Sequence, residues 1–511
     1  MQREAGKTRG GAAAERGAEA PACGGTQTQA EASWADRMRM PAENGGRAYL
    51  CIDLKSFYAS VECVAHGLDP LSTNLVVADP SRGRTTICLA VSPALKGRGV
   101  RNRCRLFEIP EGIDYVTARP RMRRYMEVSA RIYAIYLRYL SPDDIHVYSI
   151  DECFIDITPY LELYGKTPRQ LARMLIDEVL AGTGITATAG IGTNLFLAKV
   201  ALDIAAKHAD GGIGVLDEAA FKRTIWRHRP ITDVWGIGPG IARRLAKYGA
   251  HDLRDVARMN ERTLYREFGK NAEFLIDHAW GQEPCTIAEI HAYRPKGHSL
   301  VNGQVLPGDY AAADARMVLR EMVDASVLDL LQRGVAAGRI GLHLGYARPN
   351  AKAGAVRETA EGGLQAADLT AAGAVRSRRG ESAVVFEGEH GKRFADGRFG
   401  AGAGAVERKL PHPTNSFKQL AAAFDALFDE TADASRPIRR ISIGFSDLIP
   451  EGLATPSLFE DAEGQQTERR VQDAVLAVKR KFGKNALLKG TSLKEKATAR
   501  ERNEQIGGHH A

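Results

Sequence analysis

Two apolar runs that end in acidic residues most constrain what this chain can fold into. The first is Ala48-Tyr49-Leu50-Cys51-Ile52, which stops at Asp53. The second is a pair, Ile145 to Ser149 and Cys153 to Ile157, on either side of Ile150-Asp151-Glu152. Apolar runs of about five residues bounded by turn signals read as buried strands. Acidic residues at their ends can converge on one edge of a sheet while lying far apart in the chain. At 511 residues the chain exceeds what one core fills, because single cores rarely grow beyond about 250–300 residues. Several α+β domains are therefore expected.

Between and after these runs, helical periodicity appears over Phe57 to Val64, Met122 to Leu140, Pro168 to Leu180 and Asn194 to Lys207. Short strands are read at Leu75 to Ala78, Thr86 to Val91 and Thr186 to Ile191. From 209 to 290 the pattern is helical, with Gly-containing breaks. From 298 to 450 it mixes again: a strand near Gln304, a helix over Ala313 to Arg333, a strand over Arg339 to Tyr346, a helix over Ser416 to Phe428 and a strand over Ile438 to Phe445. Residues 1–46 and 348–408 are rich in Gly, Ala and Arg with weak periodicity, the composition of a disordered extension and a flexible insertion. A basic helical segment is read around Val471 to Phe482.

Lys and Arg number 70 against 62 Asp and Glu, an excess compatible with a polyanionic partner. The seven cysteines are odd in number and form no CxxC pair, so neither a zinc site nor a disulfide framework is indicated. No apolar stretch reaches the roughly 18 residues of a membrane span, and the N-terminus lacks the apolar core of a signal peptide. A reduced, cytoplasmic protein with no membrane partner is expected.

Three carboxylates at one sheet edge, Asp53, Asp151 and Glu152, stay ionised together only if cations compensate them. Hard oxygen donors suit Mg²⁺, which binds one or two carboxylates together with substrate phosphates. Two such ions would serve an in-line phosphoryl displacement. Spacing alone equally allows Asp53 to cap a helix and Asp151-Glu152 to be a solvated turn.

The wording around these residues is more specific. Asp53-Leu54-Lys55-Ser56-Phe57-Tyr58-Ala59-Ser60-Val61-Glu62 and Tyr148-Ser149-Ile150-Asp151-Glu152-Cys153-Phe154-Ile155-Asp156 resemble the first two signatures of the Y-family translesion DNA polymerases. Ala189 to Lys199 and Val234-Trp235-Gly236-Ile237-Gly238-Pro239-Gly240 resemble two more, in the family's order, and the flavour is that of its UmuC-like bacterial branch. The resemblance spans roughly 47 to 450 apart from the insertion. It implies a multidomain right-hand polymerase of α+β class. The palm would comprise 47–56 and 118–208, the small fingers 57–117 and the helical thumb, with a helix-hairpin-helix, 209–290. A mixed α/β little finger would cover 298–450, and 451–511 would be a C-terminal tail.

Carried over residue by residue, the resemblance implies that Asp53 and Asp151 bridge two Mg²⁺ ions. Glu152 completes the ion beside the primer terminus, with the Leu54 carbonyl as a further ligand. Phe57 and Tyr58 would contact the incoming nucleotide, and Tyr58 falls at the steric-gate position that excludes a ribose 2′-hydroxyl. Lys199 would reach the phosphates of the deoxynucleoside triphosphate, as would Lys96, which stands where an arginine is more common. Two further departures are Lys55, where many members carry an acid or amide, and Pro93, where well-known members carry a phosphate-contacting Tyr. Gly236, Gly238, Gly240 and Arg243 would meet the backbone of primer-template DNA, since glycines allow close approach of phosphates and helix-start amides donate to them. Arg244 and Lys247 would add attraction. His298 and Lys296 are further little-finger candidates. Leu458 and Phe459, in Thr455-Pro456-Ser457-Leu458-Phe459, resemble the end of a sliding-clamp-binding peptide without its leading Gln.

Two rivals are a non-catalytic DNA-binding relative and a nucleotide cyclase on a similar sheet. The intact carboxylates argue against the first, and Tyr58 with the helix-hairpin-helix against the second.

Overall fold

The computed structural model describes residues 46–294, 299–347, 404–454 and 461–510. They form two compact units that divide between Tyr293 and Arg294. The proposed N-terminal extension, most of the insertion, Lys296, His298, Leu458 and Phe459 lie outside the described residues.

In the first unit, β1 (Tyr49–Leu54) leads through Ser56 into α1 (Phe57–Ala65). A small sheet follows, made of β2 (Leu75–Val77), β3 (Ala90–Val91) and, after α2 (Pro93–Gly97), β4 (Val116–Ala118), in the order β3-β2-β4. Next come α3 (Met122–Tyr136), β5 (Ile145–Val147), β6 (Glu152–Asp156), α4 (Thr158–Tyr164) and α5 (Pro168–Thr183). The run closes with β7 (Ala187–Gly192), α6 (Leu195–Val200) and β8 (Ile213–Leu216). The main sheet is ordered β5-β6-β1-β7-β8, so the apolar run that ends in Asp53 is its central strand. Local signals set several boundaries. Thr167 and Gln170 form a capping box ahead of Pro168 in α5, and Gly184, at φ 70°, ends that helix by the left-handed turn glycine adopts without strain.

Six further helices complete the unit: α7 (Glu218–Thr224), α8 (Pro239–Ala246), α9 (Leu253–Ala257), α10 (Glu261–Phe268), α11 (Ala272–Trp280) and α12 (Ile287–Ala292). The structure differs from the sequence reading at β8. This four-residue strand, parallel to β7, begins a stretch read as wholly helical; four buried residues carry no resolvable period. The helix read through Lys207 also changes character. α6 ends at Val200, and a wider π turn follows over Ala201–Ala205. Of the strand read over Thr86 to Val91, only Ala90–Val91 pairs within the sheet.

In the second unit, β9 (Leu300–Tyr310), α13 (Ala312–Arg333), β10 (Val335–Tyr346), β11 (Gly404–Thr414), α14 (Phe417–Thr431) and β12 (Ile438–Pro450) form an antiparallel sheet ordered β11-β10-β12-β9. Leu342, Leu344, Ile441, Ile443 and Phe445 pack with Val318, Met322, Leu420 and Phe424 of the two helices in one core. The alternate residues, such as Gly341, His343, Arg440 and Ser442, therefore stand on the opposite face. Residues 404–408, read from composition as part of the insertion, already belong to β11.

After β12 come α15 (Ala462–Phe482), α16 (Ala499–Asn503) and a two-stranded hairpin of β13 (Gln505–Ile506) and β14 (His509–His510). This segment is fastened to the unit. Glu321, buried in the middle of α13, accepts hydrogen bonds from the Thr498 and Ala499 amides at 2.9 and 3.1 Å. Arg502 donates to Gln304 at 3.0 Å and to Asn302. Lys489 and Lys496 pair with Asp324 and Asp314. Among the described residues no helix is long and apolar enough to cross a membrane, and the six described cysteines are free.

Candidate active site

The end of β1 brings the predicted carboxylates to one edge of the sheet. Antiparallel pairing sets Asp53 directly opposite Glu152, and the Leu54 amide donates to the Asp151 carbonyl at 3.0 Å. Directly paired residues carry their Cβ atoms about 4.5–5.5 Å apart on the same face. Cys51 and Tyr49 lie on that face and pack with Phe154, Leu195, Ala198 and Leu202.

Two glycines let α6 press onto this face. A Cβ on Gly190 would stand 2.1 Å from the Ala198 carbonyl oxygen, and one on Gly192 would stand 2.2 Å from the Ala198 amide nitrogen. Any side chain there would collide with backbone, which cannot swing aside. That approach delivers Lys199 to the carboxylates. Its Nζ lies 2.7 Å from Glu152 Oε1 and 2.8 Å from Asp203 Oδ1, in an almost buried position. The Cys51 thiol donates to the same Glu152 oxygen at 3.1 Å.

The electrostatics follow. Burial, then the Asp151 and Glu152 charges, raise the Asp53 carboxyl to about 7, against the lowering effect of Lys199. Burial would depress Lys199, but the Glu152 and Asp203 charges outweigh it and hold the ammonium firmly protonated. Asp151 accepts from the Ser149 hydroxyl at 2.6 Å. Among the described residues no three His, Cys, Asp or Glu side chains are gathered closely enough to enclose a cation. Glu152 is instead turned to Lys199.

Tyr58, at the start of α1, is half-buried, with Phe57 fully buried beside it. Its ring stacks on Tyr125 at 4.4 Å and 16°. Tyr125 donates to Glu62 at 2.7 Å, and Arg121 grips the same buried carboxylate from 2.6 Å. Sequence reasoning missed this support, because Glu62 and its partners are about sixty residues apart with no motif to join them. Asp203 was also missed, though its place four residues after Lys199 was a usable helical signal. Lys96 donates to the Ser56 hydroxyl at 2.9 Å, and burial lowers its pKa while Asp53 raises it. Pro93 is the first residue of α2, capped by the Ser92 side chain.

The glycine-rich fourth signature lies in the helical part of the unit. Gly236 has φ 83°, Gly238 caps α8, and added Cβ atoms on Gly236, Gly238 or Gly240 would meet open space. The backbone there is accessible. Arg243 donates only weakly, at 3.4 Å, to the Pro239 carbonyl. Arg244 instead lies over the Phe268 ring at 4.2 Å and pairs with Glu267.

Comparison with known proteins joins these observations. The model of the impB/mucB/samB family matches residues 52–203, and that of its C-terminal domain matches 298–458. A Bacillus subtilis DNA repair protein homolog, YozK, is 41% identical over 117 residues, which cover 98% of that protein and 23% of this chain. DNA polymerase IV 2 of the same organism is 29% identical, covering 90% of this chain and 98% of its own. The putative UV-damage repair protein UvrX is 27% identical over 93% and 99%. A solved Y-family polymerase chimera of Dbh and Dpo4 shares the fold at a TM-score of 0.53, with 20% identity over 79% of this chain and 99% of that one. The chain belongs to the impB/mucB/samB family, the Y-family DNA polymerases. It is a DNA-directed DNA polymerase of mixed α+β fold, homologous to DNA polymerase IV and of the class that acts in DNA repair and translesion synthesis.

Proposed function

We propose that the chain adds deoxynucleotides to a primer 3′ end opposite damaged template, at the site built on Asp53, Asp151 and Glu152. The observation that carries this is the β1–β6 register, which sets Asp53 against Glu152 and Leu54 against Asp151, with Lys199 at hydrogen-bond distance from Glu152. The donor set fits magnesium. All three side chains offer hard oxygens, and the Asp53 carboxyl is raised first by burial and then by the Asp151 and Glu152 charges beside it, charges that a bound cation would offset. Asp53, Asp151, Glu152 and the Leu54 carbonyl would hold two Mg²⁺ ions. Bound there, such ions supply activation of the attacking oxygen and charge stabilisation of the leaving one. Lys199 and Lys96 hold the triphosphate as point charges. Tyr58, braced by Tyr125, closes the space a 2′-hydroxyl would need.

The first unit would then comprise palm, fingers and thumb, and the second the little finger. Gly236, Gly238, Gly240 and Arg243 grip phosphates, whereas Arg244, engaged with Glu267, contributes less. The open face of the second sheet, with Arg440, lies toward the duplex. Clamp docking through Leu458 and Phe459 and a place in the UmuC-like branch are finer proposals. They rest on sequence wording alone, the named relatives being DNA polymerase IV and UvrX proteins.

The test is primer extension with Mg²⁺ on intact and abasic templates. Asp151→Ala should lower extension by about 10³-fold or more, a loss of roughly 4 kcal/mol of transition-state stabilisation, while DNA binding changes less than about two-fold. Substantial residual extension would refute the carboxylate assignment.

A further inference from the structure

The contact between Lys199 and Glu152 points to a control on when the site accepts cations. Glu152 Oε1 is taken by two donors at once, the Lys199 ammonium at 2.7 Å and the Cys51 thiol at 3.1 Å. Lys199 is also held from behind. Past α6 the backbone widens into the π turn over Ala201–Ala205, where β8 presents Gly214. A Cβ on Gly214 would lie 2.4 Å from the Ala201 carbonyl oxygen and 2.7 Å from the Ala206 nitrogen. Only glycine admits the widened turn so close to the sheet. π turns are rare and concentrate at functional sites. This one carries Asp203, whose Oδ1 lies 2.8 Å from Lys199 Nζ. One buried ammonium thus sits between two carboxylates, one on the sheet and one on its own helix.

We propose that Lys199 is an internal counter-ion that occupies Glu152 in the nucleotide-free protein, and that Asp203 is a positioning residue keeping the ammonium within reach of both Glu152 and an arriving triphosphate. This rests on the metal-site reading above. A divalent cation meeting the nucleotide-free site must compete with a built-in cation for Glu152. A triphosphate offers Lys199 other oxygens and releases Glu152. Cation and nucleotide then reinforce one another, and by linkage each tightens the other by the same factor. Such an exchange keeps the site from binding cations before a nucleotide is present.

The test is isothermal titration of the full chain with Mg²⁺, alone and with a non-hydrolysable deoxynucleoside triphosphate. Wild-type protein should bind Mg²⁺ weakly alone and about ten-fold or more tightly with the nucleotide, within the usual range of coupling. In Lys199→Met, nucleotide-free affinity should rise by about ten-fold and the coupling should fall below about two-fold. Lys199→Gln gives the same comparison should the methionine variant fold poorly by circular dichroism. Unchanged or weaker Mg²⁺ binding by a folded Lys199 variant overturns the counter-ion role. Asp203→Asn should raise the KM for deoxynucleotide by about five-fold with kcat nearly constant, and Asp203→Glu should restore it; an unmoved KM removes Asp203 from the positioning role. If no protein binds Mg²⁺ even with nucleotide, the metal reading itself fails, and this inference with it.

Discussion

The two main sheets solve different problems with similar parts. In the first, β1 is buried almost throughout, so its chemistry is confined to strand ends. Asp53 and Glu152 lie where β1 and β6 run out, and a helix packed onto glycines brings the cation. In the second, both helices share one core face, and the other face spreads Gly341, His343, Arg440 and Ser442 over the paired strands β10 and β12. The first arrangement holds Lys199 2.7 Å from Glu152, with Asp53 directly opposite Glu152. The second sets its alternate residues along two neighbouring strands, which on the proposed reading would meet DNA backbone.

The contrast is sharpest at glycine. Gly192→Val would drive a side chain into the Ala198 backbone, whereas Gly308, in β9, has nothing within 4 Å of a built Cβ. We expect Gly192→Val to cost about 3 kcal/mol or more of stability and to abolish extension by displacing Lys199. Gly308→Ala should stay within about 1 kcal/mol. Thermal melting of the two variants decides it, and equal midpoints would remove the packing argument.

Next in size, Tyr58→Ala should raise ribonucleotide incorporation about 10²-fold relative to deoxynucleotide, a difference of roughly 2.7 kcal/mol. Competitive incorporation assays read this directly, and an unmoved ratio takes Tyr58 out of the gate role. The smallest effect belongs to the second sheet. Arg440→Ala should weaken duplex binding a few-fold and lower the salt slope by about one, leaving the single-turnover rate on saturating DNA intact. A large loss of rate instead would mean that this face shapes the chemistry too.

How much of this the sequence disclosed depends on range. Asp53, Asp151, Glu152 and Lys199 were legible because their neighbours repeat a family wording, and the Thr167–Gln170 capping box was legible because caps are local. Their engagement was not. That Glu152 is turned to Lys199, and that Glu62, Arg121 and Tyr125 brace Tyr58, are products of tertiary packing between segments that share no local signal. β8 was hidden for the opposite reason. It has only four residues, Ile213–Leu216, too few for a period to declare itself. The segment after β12 offered a basic helix and no hint of its anchorage, since Glu321 and Thr498 lie 177 residues apart.

That anchorage bears on how the protein is made. Glu321 sits in the middle of α13, yet amides it accepts from belong to Thr498 and Ala499, and the strand beside that helix is stitched to Arg502. During synthesis α13 must wait for well over a hundred further residues before one oxygen of its buried carboxylate meets these amides. A buried carboxylate without hydrogen-bond partners is costly, so the second unit gains its full set of internal contacts only once the chain through residue 502 is available. Completion of the second unit would then come late in synthesis.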